Sequence, residues 1–158
     1  MGKKKLKRLN LGCGDNLELY PDYDGLDLVD FGQIFIGDVL ELLPKFFHKD
    51  GIIDTKSNDL YDEVMANHFL EHFNQDELKV IFNSVHGILK EGGLFKIVVP
   101  HKKKDSAWQL SHKTFWTEST FEYLVKPIFE RYDFGKWEIE KLVTNKRGDI
   151  HAWLRNIK

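Results

Sequence analysis

Gly12-Cys13-Gly14 closes an alternating apolar run, and an acidic residue, Asp27, stands at the end of the next one. Glycines at such a turn let backbone N–H groups approach a ligand with no Cβ in the way. The pairing suits a ligand with a charged tail and a ribose: the glycine N–H groups meet the tail, and Asp27 accepts the ribose hydroxyls. The third glycine of a dinucleotide-binding G-x-G-x-x-G would fall at Leu17, whose side chain forbids the close helix packing that pattern needs. A nicotinamide cofactor is thus disfavoured. An adenosine carrying an amino-acid tail, with no pyrophosphate, fits better.

Histidines supply the other reactive groups, because imidazole titrates near neutral pH. His112 lies in SHKTFWTES, His101 follows Pro100 directly, and His72 closes the stretch His68-Phe69-Leu70-Glu71-His72. Read literally, that stretch is H-x-x-E-H, the inverted zinc-peptidase motif; on a helix, His68 and His72 would share a face able to hold zinc. It directly follows a strand end, however, and no third ligand is identifiable, so no metal site is assigned. His48, His86 and His151 read as structural or solvated. Lys102-Lys103-Lys104 reads as a solvated loop, or, at a pocket rim, as a reception for an anionic acceptor such as a phosphate, a sugar nucleotide or nucleic acid. Trp108, Phe115 and Trp116 follow. Basic residues beside aromatics can form a stacking platform, but core or lid packing explains these rings equally well.

The scaffold for these groups is one domain, 1–158, long enough for a hydrophobic core without disulfides. Net charge is −2, so the overall field does not indicate nucleic acid and leaves it open as a partner. The single cysteine, Cys13, forms no internal disulfide, which suits a reducing, cytoplasmic setting. No apolar run approaches the ~18 residues of a membrane span. The basic start, MGKKKLKR, is followed by no signal-peptide core and reads as solvated.

Strands are expected over 6–11, 23–28, 33–36, 60–66 and 94–99. The last is a nearly continuous apolar run, as in a central strand buried on both faces. Residues 17–22 are too few for a crossover helix and contain Pro21, so only a turn fits there. Pro44 makes 39–47 a short or broken helix, and 48–59 an exposed loop. The clearest helix is 75–90: Asn74 and Glu77 form a capping-box start, and Leu78, Ile81, Phe82, Val85, Ile88 and Leu89 recur at helical spacing up to Gly92-Gly93. Thr117 caps a helix carrying Phe121, Leu124 and Val125. Segments 134–144 and 149–157 read as a hairpin across 145–148. The sum is an α/β fold, a Rossmann-like and mostly parallel sheet with an antiparallel C-terminal hairpin and helices on both faces.

In order, LNLGCGDN, YDGLDL, GDVLELLP, YDEVMANHFLEHF and GILKEGGLFKIVVP resemble the blocks of a class I S-adenosylmethionine-dependent methyltransferase. More narrowly, they are similar to small predicted methyltransferases with an LNLGCG start and an LEH motif after strand four. The resemblance spans about 6–100, with a weaker echo at 112–124. It implies that Gly12 and Gly14 approach the methionine part and that Asp27 binds the ribose. Asp38 and Val39 stand where the adenine is contacted, and Asn67 and His68 beside cofactor and substrate, where the chain leaves strand four. The implied cofactor is S-adenosylmethionine, and the implied reaction is methyl transfer to an unidentified oxygen or nitrogen nucleophile. His112 is the first choice of general base, with His72 and His101 next. Asn10 and Asn16 depart from the family pattern, which carries an acid and a glycine there. They favour a rival reading, a non-catalytic binding module of the same fold. With only 101–118 available as a cover, the site is expected to be open, suited to a bulky acceptor or completed by a second subunit in a homo-oligomer.

Overall fold

A computed structural model describes residues 5–46 and 60–158; the loop expected at 48–59 lies outside them. The strands are β1 (Arg8–Leu11), β2 (Asp24–Asp27), β3 (Phe35–Ile36), β4 (Tyr61–Asn67), β5 (Leu89–Pro100), β6 (Trp137–Thr144) and β7 (Asp149–Asn156). The helices are α1 (Val39–Lys45), α2 (Gln75–Ile88) and α3 (Glu118–Leu124). The sheet order is β3-β2-β1-β4-β5-β7-β6. Pairings from β3 to β5 are parallel, and β7 runs antiparallel to both β5 and β6. The mostly parallel sheet with an antiparallel C-terminal hairpin is therefore as expected.

Side chains alternate across each strand, and here the two faces differ in chemistry. Leu9, Leu11, Val64, Ala66, Phe95, Ile97, Val99, Ile150, Ala152 and Leu154 are fully buried on one face. Val39 and Leu43 of α1, Ile81, Phe82 and Val85 of α2, and Phe121 and Leu124 of α3 join the same cluster. All three α-helices thus cover that face. On the other, Lys96 Nζ lies 2.8 Å from Glu63 Oε2 and 4.5 Å from the centre of the Trp153 ring, which Lys141 Nζ also approaches at 4.6 Å.

Helices on both faces are therefore found only in reduced form. The β1–β2 connection holds a single 3-10 turn, Leu17–Leu19, as the short spacing around Pro21 requires. The same asymmetry corrects the reading of 94–99. Phe95, Ile97 and Val99 are buried, whereas Leu94, Lys96 and Val98 are half-buried, because no helix layer of the described residues covers their side.

Helix α2 begins as its sequence dictates. Asn74 Oδ1 accepts from Glu77 N–H at 2.9 Å, and Glu77 Oε2 accepts from Asn74 N–H at 2.7 Å. It ends at Ile88 rather than residue 90, because Leu89 is extended and opens β5 opposite Tyr61. Buried Asn156 Nδ2 donates to the carbonyls of His86, Leu89 and Lys90 at 3.2, 3.1 and 3.1 Å, satisfying the helix end from a strand distant in sequence. Replacing Asn74 by alanine is expected to destabilise the fold by ~1 kcal/mol, read as a lower midpoint in urea with an unchanged slope.

Candidate functional site

At the carboxyl end of β1 the chain turns through Gly12 (φ +64°) and Gly14 (φ +57°). A Cβ on Gly12 would lie 2.1 Å from Phe69 Cδ2, so no larger residue fits against that ring. The turn's amides, however, face inward. Gly12 and Cys13 N–H donate to Leu26 O at 2.8 and 3.3 Å, and Gly14 N–H donates to Asp27 Oδ2 at 2.9 Å. The expectation that these glycine N–H groups meet a ligand tail is corrected: with no helix behind the turn, the neighbouring strand satisfies them. What the glycines supply is the left-handed backbone and the space that Phe69 now fills.

Asp27 Oδ1 also accepts from Val29 N–H at 3.1 Å. A carboxylate has about four lone-pair sites, so Asp27 keeps capacity for two hydroxyl donors. Asp38 is the N-cap of α1, its Oδ1 accepting from Leu40 N–H at 2.8 Å. A cavity of about 200 Å³ is lined by Asp27, Leu28, Asp38, Val39, Phe69 and Phe73, among others. The structure thus brings Asp27, Asp38 and Val39 together, with Gly12 adjoining through Phe69. Asn10 is buried, and its Oδ1 has no hydrogen-bond partner among the described residues. Burial, and then the nearby Asp27 charge, push the Cys13 thiol up, which keeps it protonated and unreactive.

A second cavity, about 250 Å³, is lined by His68, Glu71, His72, Pro100, Ser106, Gln109 and His112. His68 has φ +49°, a conformation unusual for a non-glycine residue. Its N–H donates to Val98 O at 2.8 Å. Its ring nitrogens stand 3.4 Å from Glu71 Oε1 and 3.7 Å from Asp149 Oδ1. The hydrogen bond to Glu71 raises its pKa above the ordinary imidazole value, with the charges of Glu71 and Asp149 adding to the effect and burial opposing it. Phe69, the next residue, lines the first cavity, so consecutive residues after β4 line the two cavities. His68 lies on the second cavity and not on the first, and Asn67 lines neither.

His72 and His112 meet edge to face, their ring centres 4.8 Å apart. His72 Nδ1 donates to Ser111 O at 3.3 Å, and His112 Nδ1 donates to Ala107 O at 3.0 Å. A carbonyl only accepts, so Nδ1 carries a proton in both rings, and in the neutral form of each the lone pair sits on Nε2. His101 lies elsewhere. Its Nδ1 accepts from Lys103 N–H at 3.1 Å, and its Nε2 faces Glu118 Oε2 at 3.3 Å. With both nitrogens engaged it braces the loop after β5, beside Lys103, Lys104, Lys146 and Arg147 in a separate basic pocket. Lys104 is itself held by Asp149 at 2.6 Å, so the triple-lysine run is not uniformly solvated. Glu71, Ser106, Gln109 and Phe73 escaped sequence reasoning as site residues; Glu71 alone carried a signal, as the middle of the LEH run.

No protein-family model matches the chain, and no curated protein matches it. Solved structures do. A SAM-dependent methyltransferase from Archaeoglobus fulgidus aligns over 96% of this chain and 87% of its own, with 18% identity and a TM-score of 0.66. The N-methyltransferase NodS from Bradyrhizobium japonicum, in complex with S-adenosyl-L-homocysteine, aligns over 97% and 79%, with 13% identity and a TM-score of 0.62. The mitomycin 7-O-methyltransferase MmcR aligns over 96% of this chain at 16% identity and a TM-score of 0.63, and the chain spans 49% of its length. The fold is the one these methyltransferases share.

Proposed function

We propose that this chain is an S-adenosylmethionine-dependent methyltransferase acting on an oxygen or nitrogen nucleophile. The observation that carries the reading is the junction at His68-Phe69. There consecutive residues line two cavities, one with an acid at the end of β2 and one with two imidazoles whose Nδ1 atoms are engaged by backbone carbonyls. The residues fit the cofactor. Asp27 would accept its ribose hydroxyls, Asp38 and Val39 would border its adenine, and the unpartnered Asn10 Oδ1 offers an acceptor for its ammonium group. The space over Gly12 would take the methionine part once the Phe69 ring rotates away.

When bound, the cofactor supplies a sulfonium methyl whose leaving group is already activated by its charge. The protein's task is then mainly positioning, which can supply ~7–11 kcal/mol in favourable cases. His112, held by Ala107, and His72, held by Ser111, are placed to take a proton from the acceptor at Nε2. The basic pocket beyond Asp149 would receive an anionic part of the acceptor.

Thermal unfolding with S-adenosylmethionine, S-adenosylhomocysteine and NAD tests the reading. At ~100 times its dissociation constant a ligand adds ~2.7 kcal/mol of stability, roughly 5–10 °C for a chain of this size. A shift with both sulfur compounds and none with NAD is expected. No shift with either sulfur compound would favour a non-catalytic module of the same fold.

A further inference from the structure

Glu71 is the most deeply buried acidic side chain among the described residues, 1% exposed, and its Oε2 has no hydrogen-bond partner. An ionised carboxylate in that setting is costly unless it is paired or coordinates a metal. Among the described residues its side chain is paired with His68, at Oε1. Beside it stand the imidazoles of His72 and His112, and one ligand atom from each of the three lies within 4.8 Å of the others. All three line the same cavity, together with Ser106 and Gln109.

From this arrangement we propose that Glu71, His72 and His112 bind a divalent transition-metal ion, zinc by its donor chemistry. Two imidazoles and one carboxylate are a zinc donor set that leaves a coordination position open. At Zn–N and Zn–O bonds of ~2.0–2.2 Å, ligand atoms on one ion stand roughly 3.3–3.6 Å apart, so the three groups converge by about an ångström on binding. The outer contacts already suit a metal. Both histidines give Nδ1–H to backbone carbonyls, which fixes the tautomer and leaves Nε2 as the nitrogen able to ligate. Lys113 N–H donates to Glu71 O at 2.8 Å and Thr114 N–H to the same oxygen at 3.3 Å, locking the segment that carries His112 onto the turn that carries Glu71.

The H-x-x-E-H letters therefore contribute differently from a zinc peptidase. The segment is a 3-10 turn, Leu70–His72, so His68 and His72 do not share a helical face. His112, about forty residues on, completes the set instead. The open position faces the cavity where the proposed function places the acceptor, and in this the inference rests on that reading. A metal there would hold the acceptor's oxygen or nitrogen and favour its deprotonated form, so with the ion bound it replaces the two imidazoles, whose Nε2 lone pairs it occupies, as the group that activates the acceptor.

The test is made on the full chain after chelation. Cobalt(II) is added as a spectroscopic stand-in, and zinc affinity is measured by competition with a chromophoric chelator. One ion per chain, visible d–d bands typical of four- or five-coordinate cobalt, and at least a tenfold loss of zinc affinity in both Glu71→Gln and His112→Ala are expected. Circular dichroism and the thermal midpoint confirm that these variants fold; if one does not, His72→Gln takes its place. Wild-type protein that binds no zinc at micromolar concentration would overturn the site, as would binding that both variants retain. Titration with S-adenosylhomocysteine in the same samples separates the claims. Zinc binding without it leaves the metal site standing and the methyltransferase reading fallen, and the converse result fells the metal site alone.

Discussion

Replacing Gly12 by alanine is expected to cost ~2–5 kcal/mol of stability and to remove cofactor binding. One part is conformational: a left-handed backbone costs an L-residue ~1–2 kcal/mol, and Gly12 sits at φ +64°. The other is steric. The new methyl would stand 2.1 Å from Phe69 Cδ2, and overpacking of a well-filled site costs ~1–3 kcal/mol. The thermal midpoint should fall by roughly 5–15 °C. A Gly12→Ala/Phe69→Ala double variant separates the two parts. It should show a favourable coupling of ~1 kcal/mol or more, because removing the ring lifts the steric part and leaves the backbone part. Strict additivity would contradict Phe69 as the obstacle.

Asp27→Ala should be nearly as damaging to binding, for a different reason. Hydrogen bonds to a charged group are worth ~1.5–3 kcal/mol each. Losing two from the ribose hydroxyls should weaken S-adenosylhomocysteine by roughly 10²–10⁴-fold, read by calorimetry. The carboxylate also ties Gly14 to Val29, accepting from both N–H groups at 2.9 and 3.1 Å. A loss of ~1–3 kcal/mol in stability is therefore expected as well. These hydrogen bonds make Asp27 a brace within the turn. Asp27→Asn, which keeps one carbonyl acceptor, should recover part of the stability and little of the affinity. Unchanged affinity in Asp27→Ala would remove this residue from the ribose site, and an unchanged midpoint would contradict the brace.

The sheet and its order of elements were legible because the signals are local. Asn74 and Glu77 announce α2, alternating apolar residues announce β7, and Gly12 and Gly14 announce the turn after β1. The position of Asp27 at the strand end was legible from spacing alone. What was hidden depends on tertiary partners. The end of α2 is set by Asn156, from the last strand. The one-sided burial of β5 follows from the absent helix behind β1, which no pattern within β5 itself encodes. The inward-facing amides of Gly12 and Cys13 follow from the carbonyl of Leu26.

The histidines divide the same way. His72 and His112 are separated by a helix and a strand in sequence, yet the Glu71 carbonyl holds their segments together. His101 stands at the strand end, as its place after Pro100 suggests, but its nitrogens are consumed by Lys103 and Glu118. Reading residue type and spacing finds groups able to titrate. Only the hydrogen-bond partners tell which nitrogen remains free.

The central claim is that the cavity at Asp27 takes S-adenosyl compounds, and calorimetric titration of the intact wild-type chain with S-adenosylhomocysteine tests it most directly. One saturable site per chain is expected, lost in Asp27→Ala and unmoved by excess NAD. A titration with no saturable heat, together with a thermal midpoint that does not respond to the ligand, would contradict it.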